Sequence, residues 1–353
     1  MTASRSWQET LTHRLAQGLT RVPPSVTARL GGPPRVVDGQ SLDPHLAAVL
    51  ALQRRRESHD PADRSPEARR AALAATTRIL AGPPDPVGGS RDVVVDGAQG
   101  PLRARHYRPP ASVEGGPRPL VVFLHGGGWV VGDLDTHDRP CRLLCRYADA
   151  HVLAIEYRLA PEHPYPAALD DAVAAFGWAV AHAEEMGADP SRVAVAGDSA
   201  GGNLAAVLAQ VTRDEGLTTP CAQLLVYPGC DASVERPSKR LFADGYFLTR
   251  SQMDWYWATY TAGGSRTDPR LSPWCAEDLS GLAPAVVSTA GFDPLRDEGE
   301  DYARALREAG VPVVMRRASS LVHGFLNLAD VHPASRDESV AVAAAFGALL
   351  DAG

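Results

Sequence analysis

Lysine is almost absent from this chain. Of its 35 basic residues only Lys239 is a lysine, and the rest are arginine. Set against 42 acidic residues they leave a formal charge of −7. No basic stripe exists to neutralise phosphates, which excludes a nucleic-acid partner. No apolar run reaches the ~18 residues that a membrane span needs, and the start, MTASRSWQETLTHRLAQG, lacks the apolar core of a signal peptide. These absences predict a cytoplasmic protein with no membrane span. Cysteine is scarce and odd in number: 141, 145, 221, 230 and 275. Cys141 and Cys145 have no matching His/Cys pair nearby, so free thiols are expected and no metal site. Internal repeats and long low-complexity tracts are missing too. At 353 residues and 44% hydrophobic content, the chain can bury the core of one large domain or two small ones.

What is present is a rhythm. Residues 1 to about 41 are polar and broken by Pro and Gly, with one short helix predicted near Gln8 to Leu19. Leu42–Arg56 and Pro66–Leu80 carry apolar residues at helical spacing, with Asp43-Pro44 and Ser65-Pro66 as start signals. From Arg91 strands begin: Asp92–Asp96 and Leu102–Tyr107 as a hairpin, then Leu120–Leu124, Val152–Glu156, Val193–Ala196, Gln223–Tyr227, Pro284–Thr289 and Val311–Arg316. Helices separate most of them, including Pro166–Glu185, Tyr302–Ala309 and Ser335–Leu350. Alternation of this kind predicts a mostly parallel sheet covered on both faces. The stretch between Tyr227 and Pro284 breaks the rhythm and holds Trp255-Tyr256-Trp257 and Tyr260. So long an excursion is not structureless. It reads as a lid over the sheet edge or as a peripheral helix packing its aromatics into the core.

Gly197-Asp198-Ser199-Ala200-Gly201 joins a Val-rich strand to an Ala- and Leu-rich helix. G-x-S-x-G at such a junction is a nucleophile elbow, whose tight turn needs glycine on both sides of the serine. A serine hydroxyl needs a base to attack. In the order Ser, acid, His, the base follows the last strand, where His323 stands in Leu321-Val322-His323-Gly324-Phe325. His332 comes too late and sits beside a proline. The carboxylate that orients the base belongs after the penultimate strand. Asp293 is there, while Asp297 and Glu298 fall in the first turn of the next helix, where acids suit the dipole. Backbone donors for an oxyanion are expected from Gly127, Gly128 and Ala200, since His125-Gly126-Gly127-Gly128 follows the first central strand. As a phosphate cradle that loop fails, because no Lys and no Gly-x-Gly-x-x-Gly helix entry accompany it.

Taken in order, His125-Gly126-Gly127-Gly128-Trp129, Tyr157-Arg158-Leu159-Ala160-Pro161-Glu162, Gly197 to Asn203, Asp293 to Glu298 and His323-Gly324-Phe325 resemble the hormone-sensitive-lipase family of α/β-hydrolases. This is bacterial esterase family IV in its GDSAG form. The resemblance covers roughly residues 42 to 353. It implies an α/β-hydrolase fold with a mostly parallel eight-stranded sheet and a helical cap. The cap would comprise N-terminal helices in residues 42–90 and an inserted segment at about 230–275. Residues 91–353 would hold the catalytic domain, and about the extension 1–41 it says little. In the Tyr157 block, Arg158 and Glu162 are expected to pair and brace the oxyanion loop.

The expected function is a serine carboxylesterase acting on a small-molecule ester of short to medium acyl chain, without metal or organic cofactor. Amide or lactone hydrolysis, deacetylation and acyl transfer would use the same residues, and the substrate-binding residues and a homodimer are left open. A non-catalytic small-molecule receptor on this fold would lack the base, and a lyase would lack the nucleophile.

Overall fold

The apolar run Leu120–Leu124 can be satisfied only by neighbours on both faces and both edges, and it lies at the centre of the molecule. The structure, a computed structural model, describes residues 32–56, 65–110 and 116–352; the helix expected near Gln8 to Leu19 lies outside them. In chain order the elements are a small hairpin, β1 (Val36–Val37) and β2 (Gln40–Ser41), then α1 (Pro44–Arg56), α2 (Pro66–Leu80), β3 (Gly89–Gly97), β4 (Gly100–Arg108) and β5 (Arg118–Leu124). After these come α3 (Asp138–Tyr147), β6 (His151–Ile155), α4 (Ala167–His182), β7 (Ala188–Asp198), α5 (Ala200–Asp214) and β8 (Gln223–Val226). The chain continues through α6 (Pro237–Leu241), α7 (Arg250–Thr261), β9 (Ala285–Phe292), α8 (Arg296–Glu308), β10 (Val313–Val322) and α9 (Pro333–Ala352).

Eight strands form one sheet in the order β10-β9-β8-β7-β5-β6-β4-β3. All ladders are parallel except those made by β4, which runs against its neighbours β3 and β6. The chain leaves β5 for β6 on one side and then returns to pair β7 on the other. That reversal opens a crevice at the carboxyl ends of β5 and β7, the place where open α/β sheets bind ligands. Apolar side chains fill both faces, with Phe176 and Tyr302 in one core and Phe123, Phe292 and Phe346 in the other. All five cysteines are free.

Two differences from the sequence reading matter for the site. The last strand does not stop at Arg316 but continues to Val322, through a register shift after Ala318. His323 is therefore the first residue past the strand. The second concerns the polar N-terminal segment, whose described part straps the sheet's carboxyl edge. Asp43 donates its amide to Ser320 O at 3.0 Å, and Asp38 pairs with buried Arg296 at 2.8 Å.

Away from the crevice, His106 on β4 meets His151 on β6 at 2.9 Å between ring nitrogens, and both are buried. Burial, then the neighbouring His151, pushes His106 down to about 4. Burial, then Arg108, pushes His151 down as well. Arg91 and Arg108 oppose protonation of this pair, and Asp149 alone favours it. Folded values below the unfolded ~6.5 mean that the native state refuses protons the unfolded chain accepts. Stability is then complete above about pH 6.5 and is lost as pH falls toward 4. The urea midpoint should drop between pH 7 and pH 4.5 more steeply in the wild type than in His106→Phe. Equal slopes in the two proteins would place the acid lability elsewhere.

Candidate active site

The crevice is built around Ser199, which joins β7 to α5 with φ 54° and ψ −116°. A non-glycine residue adopts this conformation only where its surroundings impose it. They do so here by close backbone packing. A Cβ on Gly197 would collide with the Gly201 carbonyl, and one on Gly201 with the carbonyl of Leu124 on β5. Ser199 N–H donates to Val226 O at 2.9 Å, and Asn203 Nδ2 anchors the helix start to Gly229 O and Leu271 O at 2.7 and 2.8 Å.

The three strand ends of β7, β9 and β10 bring Ser199, Asp293 and His323 together. Ser199 Oγ lies 2.9 Å from His323 Nε2, and His323 Nδ1 lies 2.7 Å from Asp293 Oδ2. Asp293 is fully buried and its other oxygen accepts the Leu295 amide at 2.8 Å. The Tyr227 ring backs the imidazole at 4.7 Å between centroids. Asp297 and Glu298 lie apart from this chain of bonds. Asp297 accepts the Ser238 amide and Arg296. Glu298 is more than a dipole acid: it is buried, accepts the Cys230 and Asp231 amides, and pairs with Lys239 at 2.7 Å.

Beside the serine, the loop after β5 turns on Gly127 (φ 118°) and Gly128 (φ 61°). Its Gly126 amide is taken by Asp198 Oδ1 at 2.8 Å. No hydrogen bond from the Gly127, Gly128 or Ala200 amide is formed among the described residues. All three residues line the cavity. Asp198, which the sequence marks only as part of the GDSAG form, stands next to Ser199. Burial alone would raise its carboxyl, but His137 at 3.5 Å and the Gly126 amide outweigh that and hold it below the usual range. His125, buried beside it, is pushed down to about 4 by desolvation and then by His137, and so stays neutral.

The cavity above Ser199 measures about 250 Å³ and is mainly apolar. Leu73 of α2 and Met253, Tyr256 and Trp257 of α7 line it from above, with Phe247 and Leu248 before α7. Side chains of the aromatic excursion lie both in the core and against the cavity. Tyr260 stacks on Trp129 at 4.4 Å as core, while Tyr256 lies so close over Gly128 that a Cβ there would enter its ring. Arg69 of α2 sits over the Trp255 ring at 3.9 Å, which ties the two helical segments together.

The expected Arg158–Glu162 pair does not form. Arg158 instead grips buried Asp171 of α4 at 2.8 and 2.9 Å. Glu162 pairs with Arg70 of α2 at 2.7 Å. Side-chain partners 92 residues apart leave no local signal in a sequence.

One group of His and Asp side chains among the described residues is close enough to share a metal: Asp43, His45 and His332. Asp43 and His332 already carry structural hydrogen bonds. Asp43 Oδ1 accepts the His45 and Leu46 amides as a helix cap. The Ser335 amide donates to His332 Nδ1, which leaves the ring proton on Nε2, 3.0 Å from Asp43. This donor set fits a structural pin better than a metal.

The sheet order and the serine turn define an α/β-hydrolase fold, and residues 121–327 match the family model described by that name. The chain is 52% identical to the carboxylic ester hydrolase LipN of Mycobacterium tuberculosis over 83% of its own length and 79% of that protein's. It is 38% identical to an ethyl acetate hydrolase of Pseudomonas putida over 82% and 94% of the two chains. Among solved structures, an ester hydrolase from the metagenome of Lake Arreo, complexed with a bipyridine phosphonate derivative, superposes with a TM-score of 0.82 at 40% identity, covering 87% and 98%. A thermostable esterase from Pseudomonas putida gives 0.83 at 35% identity, covering 89% and 99%. The chain belongs to the hormone-sensitive-lipase-like family of α/β-hydrolases.

Proposed function

We propose that the protein is a serine carboxylesterase for short- to medium-chain acyl esters, with Ser199, His323 and Asp293 as its triad. The observation that carries this is the unbroken run of hydrogen bonds from Ser199 Oγ through His323 to Asp293, opening on an apolar cavity of about 250 Å³. Ser199 Oγ attacks the ester carbonyl while His323 Nε2 takes its proton. The oxyanion is received by the Gly127, Gly128 and Ala200 amides, which have no acceptor among the described residues. Asp293 holds the His323 proton on Nδ1 and stabilises the imidazolium. His323 returns its proton to the leaving alcohol, water then attacks the acyl-enzyme, and Ser199 is released with the acid.

The helices of residues 42–90 and the segment 230–275 form the cap in this reading, and Leu73, Met253 and Tyr256 limit the depth of the acyl site. A panel of p-nitrophenyl esters from acetate to palmitate, with one anilide and one lactone, tests it. The highest kcat/KM is expected between acetate and octanoate, with palmitate and the anilide far below. Palmitate turned over better than butyrate would overturn the size argument, and anilide exceeding the esters would overturn the reaction class.

A further inference from the structure

The guanidinium of Arg70, on α2, makes four hydrogen bonds. Two go to Glu162 at 2.8 and 2.7 Å. The other two go to backbone carbonyls: Nε to Val130 O at 2.8 Å and Nη2 to Ala160 O at 2.9 Å. Neither carbonyl reaches the cavity, but the first belongs to a peptide group that matters. The Val130 carbonyl shares its peptide plane with the Val131 N–H, and that N–H donates to Gly127 O at 3.0 Å. The Gly127 carbonyl in turn shares its plane with the Gly128 N–H. In a trans peptide C=O and N–H point in opposite directions. Holding Gly127 O toward Val131 therefore turns the Gly128 N–H the other way, into the site. A second limb converges on the same oxygen, since Ala160 N–H donates to Trp129 O at 2.9 Å and Val130 N–H donates to Gly127 O at 3.2 Å.

We propose that Arg70 is a positioning residue of the oxyanion hole, acting on the Gly128 amide through two hydrogen-bonded peptide groups. The cation caps a chain that runs guanidinium, Val130–Val131 peptide, Gly127–Gly128 peptide, oxyanion. Every dipole in it points the same way, and such chains strengthen each member. The negative charge of the tetrahedral intermediate thus ends on a chain whose far end is a guanidinium donor held by Glu162. Glu162 holds the guanidinium plane in register for both carbonyls. A Lys at position 70 could not serve all of these acceptors, because it lacks the fork. Arg70 comes from the cap, so the donor geometry exists only while α2 is docked on the catalytic domain.

The inference rests on the serine-esterase reading above, and its test separates the two. Wild type, Arg70→Met and Arg70→Lys are compared on p-nitrophenyl butyrate, and for inhibition by a propyl trifluoromethyl ketone, whose hemiketal on Ser199 carries the oxyanion. Arg70→Met is expected to lower kcat roughly 10- to 100-fold, less than the ~10²–10³ for deleting an oxyanion donor outright. KM should change little, and the ketone should weaken by the same factor as kcat/KM. Arg70→Lys should fall between the two, and added methylguanidinium should restore part of the Arg70→Met activity. A raised KM with kcat and ketone affinity intact would show that Arg70 only holds the cap, and the proposal falls. If Arg70→Met does not fold, judged by near-UV circular dichroism, Arg70→Lys is decisive: ketone affinity equal to wild type overturns the proposal. Absence of a Ser199 hemiketal in the wild type, by ¹⁹F NMR, would remove the underlying esterase reading instead.

Discussion

Ser199→Ala should lower kcat by about 10⁶-fold, and the Ser199→Ala/His323→Ala double variant should be scarcely slower than either single one. The expectation follows from the 2.9 Å contact between Oγ and Nε2. A base with no hydroxyl to deprotonate contributes nothing, and a hydroxyl with no base is a poor nucleophile. Residual activity above that of water would come from the amides of Gly127, Gly128 and Ala200 and from binding. The measurement is steady-state turnover of a p-nitrophenyl ester, paired with mass spectrometry after fluorophosphonate treatment, which should add one adduct on Ser199. Losses that multiply in the double variant, or an adduct elsewhere, would dismantle the triad.

Asp293→Asn should cost about 10⁴-fold in kcat while leaving the fold intact. The Asp293 side chain has no exposure, and its two oxygens accept from His323 Nδ1 and the Leu295 amide. An Asn that keeps the Leu295 bond must turn its NH₂ toward the imidazole. The ring proton then moves to Nε2, facing Ser199, where a base is needed. Asp297→Asn is the matched control, because Asp297 serves the Ser238 amide and Arg296 rather than the imidazole. Its kcat should stay within a few-fold of wild type, with the loss appearing in Tm. If the two variants ranked the other way, the orienting carboxylate would be Asp297.

The parts of this molecule legible in its sequence are those that backbone geometry forces on residue identity. Ser199 could be found because a turn at φ 54°, wedged against the Leu124 carbonyl, admits only glycine at 201. That His323 and Asp293 meet Ser199 was legible because chain order and strand ends place them there. What stayed hidden was decided by contacts between distant segments. Arg158 had an acidic neighbour at 162 and another at 171, and only the packing of α4 against β3, whose turn gives the Ala98 amide to Asp171, chose Asp171. Nothing about Arg70 distinguishes it from the other arginines of its helix until Val130 is brought against it. The segment 36–43 gave no apolar pattern, because it is held by one backbone bond to Ser320, the Arg296–Asp38 pair and the Asp43–His332 pin. Such polar straps look like linker when written out in line.

The position of α1 and α2 in the chain also sets a timetable for biosynthesis. α1 and α2 emerge from the ribosome before any strand of the sheet they cover. Arg70 waits for Glu162, 92 residues later, and at ordinary translation speeds that interval is on the order of 10 s. During it the apolar faces of Leu46, Leu50 and Leu73 have at most the strands β3 to β6 to lie against, half of the final sheet. The Ser199–His323 contact closes later still, 124 residues after the serine. Vectorial synthesis therefore permits the Gly127–Gly128 loop to be latched through Arg70 before Ser199 meets His323, so that the nascent chain gains the loop's geometry first and the serine–histidine contact last.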